Sequence, residues 1–199
     1  MLYDLYEATI EQVGLGGFAM YPLLLTCLAM WVLIFKKIID MRAYTKGSKS
    51  AADCISSIGK PDFSCSFWQR QLMDGYVAEQ TTSENLNRNI VNSLSIRQKA
   101  FIDKHTSTIA VLAGIAPLLG LLGTVMGMIS TFEVISMYGT GNARALAGGI
   151  SEALITTETG LIIAVPGLFF VSFLSRQANE VYTKIQRFCI LLLDVPLKK

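Results

Sequence analysis

The sequence predicts an all-α membrane protein: three transmembrane helices, with spans two and three extended into a cytoplasmic helical bundle. Three observations carry that expectation. Charged residues make up only 16% of the 199-residue chain, against roughly 25% in soluble domains. Three runs, Val13 to Phe35, Ser107 to Phe132 and Ala145 to Leu174, reach the ~20 apolar residues a helix needs to cross a bilayer core. Basic residues follow the boundaries of these runs and do not spread evenly along the chain.

The expected organisation is an outer amphipathic segment (1–14), span one (15–37), a cytoplasmic helical region (38–106), span two (107–135), an outer turn (136–144), span three (145–175) and a cytoplasmic helical tail (176–199). Leu2, Leu5, Tyr6, Ile10 and Val13 recur at helical spacing with acids between them, the pattern of a short interfacial helix. The stretch GLGGF breaks it, and Pro22 falls near the start of span one, where a helix tolerates proline best. The flank before span one is acidic and Lys36-Lys37 follows it, so this run is expected to be an uncleaved anchor and not a signal peptide. Gly59 and Pro61 punctuate the loop-rich stretch KGSKSAADCISSIGKPDFS. Beyond it neither glycine nor proline occurs from Thr81 to Gly114, so span two is expected to continue inward as one long helix. Span three is expected to do the same up to Pro196.

Orientation comes from the basic residues. They populate Lys36 to Lys104 and Arg176 to Lys199; the N-terminal flank holds only Asp4, Glu7 and Glu11, and the outer turn only Arg144. The positive-inside rule then puts the N-terminus in the periplasm and the C-terminus in the cytoplasm of an inner-membrane, multi-pass protein. Interleaved acids and bases of this kind argue against nucleic acid.

Enzyme chemistry finds little footing. His105 is the only histidine and has no neighbouring ligand set, so no metal site is expected. GLGGF and GLLGTVMG lack both the Lys-Ser/Thr ending and the preceding strand of a phosphate loop. Cys27, Cys54, Cys65 and Cys189 show no C-x-x-C spacing; free thiols are expected, with neither zinc nor a disulfide.

The chemistry-bearing residues lie in spans two and three. Ala113, Ala116, Gly120, Thr124, Gly127 and Thr131 form a small-residue stripe on span two; Ala153, Thr157, Gly160, Ala164 and Gly167 form one on span three. Such stripes let helix backbones approach closely in a membrane. Counting inward from the outer turn places Thr124 and Thr157 near one depth, around mid-membrane. Their hydroxyls either orient a proton or water or bond their own helix four residues back. Glu152 and Glu158 sit in a run with no Lys, Arg or Asp from Ala145 to Ser175. An ionised group there costs roughly 3 kcal/mol or more unless it faces protein or water. The two point roughly 120° apart, so they do not form a paired-carboxylate site. Each is either a polar group of an ion path or a packing carboxyl against a neighbouring subunit.

APLLGLLGTVMGMISTF (Ala116 to Phe132), a short turn and LAGGISEALITTETGLIIAVPGL (Leu146 to Leu168) together resemble the ExbB/TolQ/MotA proton-channel family, closest to its ExbB/TolQ branch. GGFAMYPLLL resembles that branch's first span, so the likeness covers all three spans in order. It implies a homo-oligomeric ring, a pentamer in ExbB, around a single-span ExbD/TolR-like partner with an intramembrane aspartate, acting on a TonB- or TolA-like protein. The coupling ion it implies is H⁺, with Na⁺ an alternative, and it calls for no other cofactor. It implies pathway threonines at Thr124 and Thr157 and the motif glutamate at Glu152. Pro166 falls on the motif proline, and Gly120, Gly123, Gly127, Gly160 and Ala164 on packing positions. Glu158 departs from the branch pattern, which has a small apolar residue there, and is carried as a fourth pore-lining candidate. The implied function is a proton-motive-force-driven motor subunit energising TonB-dependent outer-membrane transport. The alternatives are a TolQ-like subunit for envelope maintenance and a non-conducting membrane scaffold.

Overall fold

The computed structural model describes residues 13–47, 54, 65–81 and 83–193. Its α-helices, in chain order, are α1 (Met20–Thr45), α2 (Phe67–Glu79), α3 (Glu84–Asp103), α4 (Thr106–Tyr138) and α5 (Ala143–Leu193), with a 3-10 turn over Gly139–Gly141 between the last two. No strand occurs among the described residues. Three helical stretches, Met20–Thr45, Glu84–Gly141 and Ala143–Leu193, are long and apolar enough to cross a membrane. The chain is thus an all-α membrane protein. The amphipathic helix expected over residues 1–12, most of the stretch around Gly59 and Pro61, and the end of the tail lie outside the described residues.

Contacts divide the chain into two compact units. One takes the chain up to Ile34 with Thr108–Val171; the other takes Phe35–Ser107 and the chain from Ser172 onward. In the first, α1 starts after a turn in which Gly17 adopts φ +59°, a conformation costly for residues with a Cβ. Pro22, in the first turn of α1, lacks an N–H that would have had no helical acceptor in any case. Its own carbonyl accepts a bond from Thr26 Oγ1 at 2.7 Å. The 51-residue α5 runs through Pro166 without interruption.

The second unit has a conventional apolar core, in which Tyr44, Trp68, Leu72, Ile185 and Phe188 are buried together. Trp68 meets Phe188 edge-on at 5.4 Å. Ser66 caps α2. Its N–H donates to Gln69 Oε1 at 3.0 Å, and its hydroxyl donates to the Tyr44 carbonyl at 2.9 Å, so one serine serves the start of α2 and the end of α1. The Tyr44 hydroxyl bonds Gln98 Oε1, and burial pushes its pKa up.

Two expectations are corrected here. Span two does not continue inward as one helix. The chain breaks at Lys104, and His105 sits in the left-handed region at φ 69°. No glycine or proline marks this break. Its support comes from a distant residue: buried Lys37 donates from Nζ to the carbonyls of Ile102 and, at 2.8 Å, Lys104. Those are carbonyls that the end of α3 leaves without helical donors, at a helix C-terminus where a cation is favoured. The second correction concerns the cysteines. Cys54 and Cys65 form a disulfide, with Cα atoms 6.1 Å apart, inside the range a disulfide spans. A separation of 11 residues matches no short motif, and only the folded core brings the pair together. Cys27 and Cys189 are free, as expected.

Candidate functional site

The small-residue stripes meet each other. A Cβ added at Gly120 would stand 3.0 Å from the Thr156 carbonyl and 3.1 Å from Thr157 Cα; at Gly160, 2.8 Å from the Ala116 carbonyl; at Gly127, 2.7 Å from the Gly149 carbonyl. At Gly123 it would overlap the Thr156 side chain. The atoms in the way at Gly120, Gly127 and Gly160 are backbone, so α4 and α5 touch main chain to main chain along their antiparallel contact. Without a hydrophobic drive between helices in lipid, this close packing is what holds them. Ala164 is buried on the same stripe of α5, and Pro166 is half-buried beside it.

Close approach of backbones lets a short side chain cross between helices. The Thr157 hydroxyl donates to the Gly120 carbonyl at 3.2 Å. Thr124 does not cross; its hydroxyl donates to the Leu121 carbonyl of its own helix at 2.6 Å. Thr157 therefore lies level with Gly120, and Thr124 about one helical turn, ~6 Å, further along α4. The two hydroxyls are close in depth and make no bond to each other.

They do share a side. At roughly 100° per residue, Thr157 is rotated about 40° from the centre of α5's contact stripe, and Thr124 about 60° in the same sense on α4. In an antiparallel pair, equal senses of rotation lead to one side of the pair. The α5 residues that meet the first unit's N-terminal helix are rotated the other way: Gly167 approaches Met30, and Phe170 packs edge-on to Trp31 at 5.6 Å. Both half-exposed threonines thus open on the side of the α4–α5 pair away from α1.

The glutamates go elsewhere. Glu152 turns toward the chain segment before α1, where its carboxylate fills the space a Cβ on Gly17 would need. Sequence reasoning saw GLGGF as a helix breaker but missed its partner on span three; a glycine beside a membrane span was the available signal. Glu158 is exposed, among exposed Leu154, Leu161, Ile162 and Val165. It lies roughly 140° around α5 from both the α4 and α1 contacts. The structure therefore brings Thr124 and Thr157 to one side and places neither glutamate between them. No cluster of His, Cys, Asp and Glu able to hold a metal occurs among the described residues.

Two antiparallel spans packed through glycines, with two threonine hydroxyls open on one side, define an all-helical membrane protein. A sequence profile of the MotA/TolQ/ExbB proton channel family matches residues 62–187, and the chain belongs to that family. Biopolymer transport protein ExbB of Salmonella typhimurium is 24% identical over 196 residues, 90% of this chain and 78% of that protein. The ExbB of Neisseria meningitidis serogroup B is 26% identical over 187 residues, 83% of this chain and 84% of its own. That of Aquifex aeolicus is 37% identical over 90 residues, 43% of this chain and 61% of its own.

Proposed function

We propose that this chain is the inner-membrane ring subunit of a proton-motive-force-driven motor, working with an ExbD-like single-span partner to energise TonB-dependent transport at the outer membrane. The observation that carries this reading is the shared side of Thr124 and Thr157, held by the Thr157–Gly120 bond between helices. In a ring of such chains that side is the natural wall of a central path, with α1 outside it. Similarity to several ExbB proteins over most of the chain supports the same branch.

The partner brings an intramembrane aspartate, a residue absent from spans one to three of this chain. Each threonine oxygen offers both a donor and an acceptor, so a proton can be handed along the wall while the partner's charge is held or released. One charge crossing the membrane potential is worth roughly 2.3 kcal/mol per 100 mV, the energy such a cycle draws on. The orientation is N-terminus periplasmic and C-terminus cytoplasmic, by the basic residues. H⁺ is the coupling ion, and the assembly is a homo-oligomer, a pentamer on the ExbB pattern.

Thr157→Val replaces the hydroxyl with a methyl of nearly the same size. It should abolish proton-driven uptake while the complex still assembles, and Thr157→Ser should retain it. Full uptake by Thr157→Val would refute the path.

A further inference from the structure

Glu158 is the one charged side chain of the apolar part of α5 that the packing of this chain leaves uncovered. It is exposed, whereas Glu152 is docked against Gly17. No charge on the packed helices faces it: α1 carries none before Lys36, and α4 carries only Glu133 near its far end. On its own helix the nearest charges are Glu152, six residues earlier and on another face, and Arg176, 18 residues later.

A second polar feature lies on the same face. Pro166 has no N–H and cannot donate to the carbonyl of Ile162, and Ile162 is four residues after Glu158, one turn along the same exposed strip. Lipid can satisfy neither a carboxylate nor a freed backbone carbonyl, and such groups at membrane depth occur where protein or water meets them. Rotation from the α4 contact runs first to Thr157, then past Leu161 and Leu154 to Glu158, all in the sense that leads away from α1. Glu158 thus lies about 100° beyond Thr157, on a face of α5 that neither α4 nor α1 covers.

We propose that Glu158 is a second proton-binding group of the path, contributed by this chain itself from the face of α5 that its own packing leaves uncovered. This rests on the proton-driven reading above. The step is a plain exchange: the Glu158 carboxylate takes a proton from a hydronium ion, leaving water, and returns it to water or to the partner's carboxylate. The Ile162 carbonyl accepts the hydrogen bond of the protonated acid or of the water beside it.

The test is proton flux into vesicles containing the assembled complex with its single-span partner, driven by a potassium diffusion potential and measured from pH 5 to pH 9. Glu158→Gln keeps the size and hydrogen bonding but does not titrate, so its flux profile should lose one pH limb while the complex assembles normally. Glu158→Leu should lose flux across the range. A Glu158→Gln profile superimposable on the wild type overturns the proposal and leaves the proton path standing. Absence of flux in the wild-type complex overturns both. Normal flux in Glu158→Gln with failed assembly in Glu158→Leu assigns the residue to packing and also overturns it.

Discussion

Gly160→Ala tests whether backbone contact between α4 and α5 is what positions the threonines. The new Cβ would stand 2.8 Å from the Ala116 carbonyl and 3.1 Å from Gly120 Cα, where ordinary contact begins at 3.4 Å. The helices must part by about 0.6 Å at that level to accept it, because neither obstacle is the tip of a flexible side chain. The Thr157–Gly120 bond is 3.2 Å long; the same movement stretches it to about 3.8 Å, past any useful hydrogen bond. Overpacking of this kind costs about 1–3 kcal/mol. The control is Gly114→Ala on α4, where a Cβ would meet nothing within 4 Å and where alanine is the better helix former by about 1 kcal/mol. Thermal unfolding of the detergent-solubilised protein should therefore move in opposite directions for the two variants, and only Gly160→Ala should lose proton-driven uptake. Equal unfolding temperatures for the two would refute main-chain contact as the source of the packing.

Lys37→Met removes the ammonium that serves the Ile102 and Lys104 carbonyls. Hydrogen bonds to a charged donor contribute roughly 1.5–3 kcal/mol each, so loss of the two should make unfolding easier by about 3–6 kcal/mol, with earlier amide exchange at the end of α3; unchanged exchange there would remove the clamp. Thiol counting under denaturing conditions without reductant should find Cys27 and Cys189 only, with Cys54 and Cys65 appearing after reduction. Opening that loop of 11 residues should cost ~3 kcal/mol by loop-closure entropy. Burial pushes the Cys189 thiol up to about 11 from an ordinary 9.0. The folded state thus keeps a proton that the unfolded chain releases, and the stability it contributes is complete below pH 9.0 and lost as pH rises to about 11. Maleimide at pH 7.5 should leave Cys189 unmodified in the folded protein, and rapid labelling would contradict its burial.

The parts of the fold legible in the sequence were those set by local pattern. The spans show as apolar runs, and the α4–α5 contact shows as glycines and alanines stepping by three and four. The family motif marks Thr124 and Thr157 as residues, but their common side follows only from where each lies relative to the α4–α5 contact. What stayed hidden depends on residues far apart in the chain. The α3–α4 break is stabilised by Lys37, 65 residues before Ile102, and carries no breaker residue of its own. Cys54 and Cys65 pair because a core forms around them, not because of their spacing. The family motif sets Glu152 apart from Glu158, but only packing shows that the first is docked against Gly17 and the second exposed.

The contact of Gly17 with Glu152 brings together two positions 135 residues apart in the chain. A methyl group at position 17 would meet the tip of the Glu152 side chain and would also have to hold a left-handed backbone, so that position favours glycine on two counts. Even a shorter acid at 152 would leave alanine at 17 in a left-handed backbone conformation.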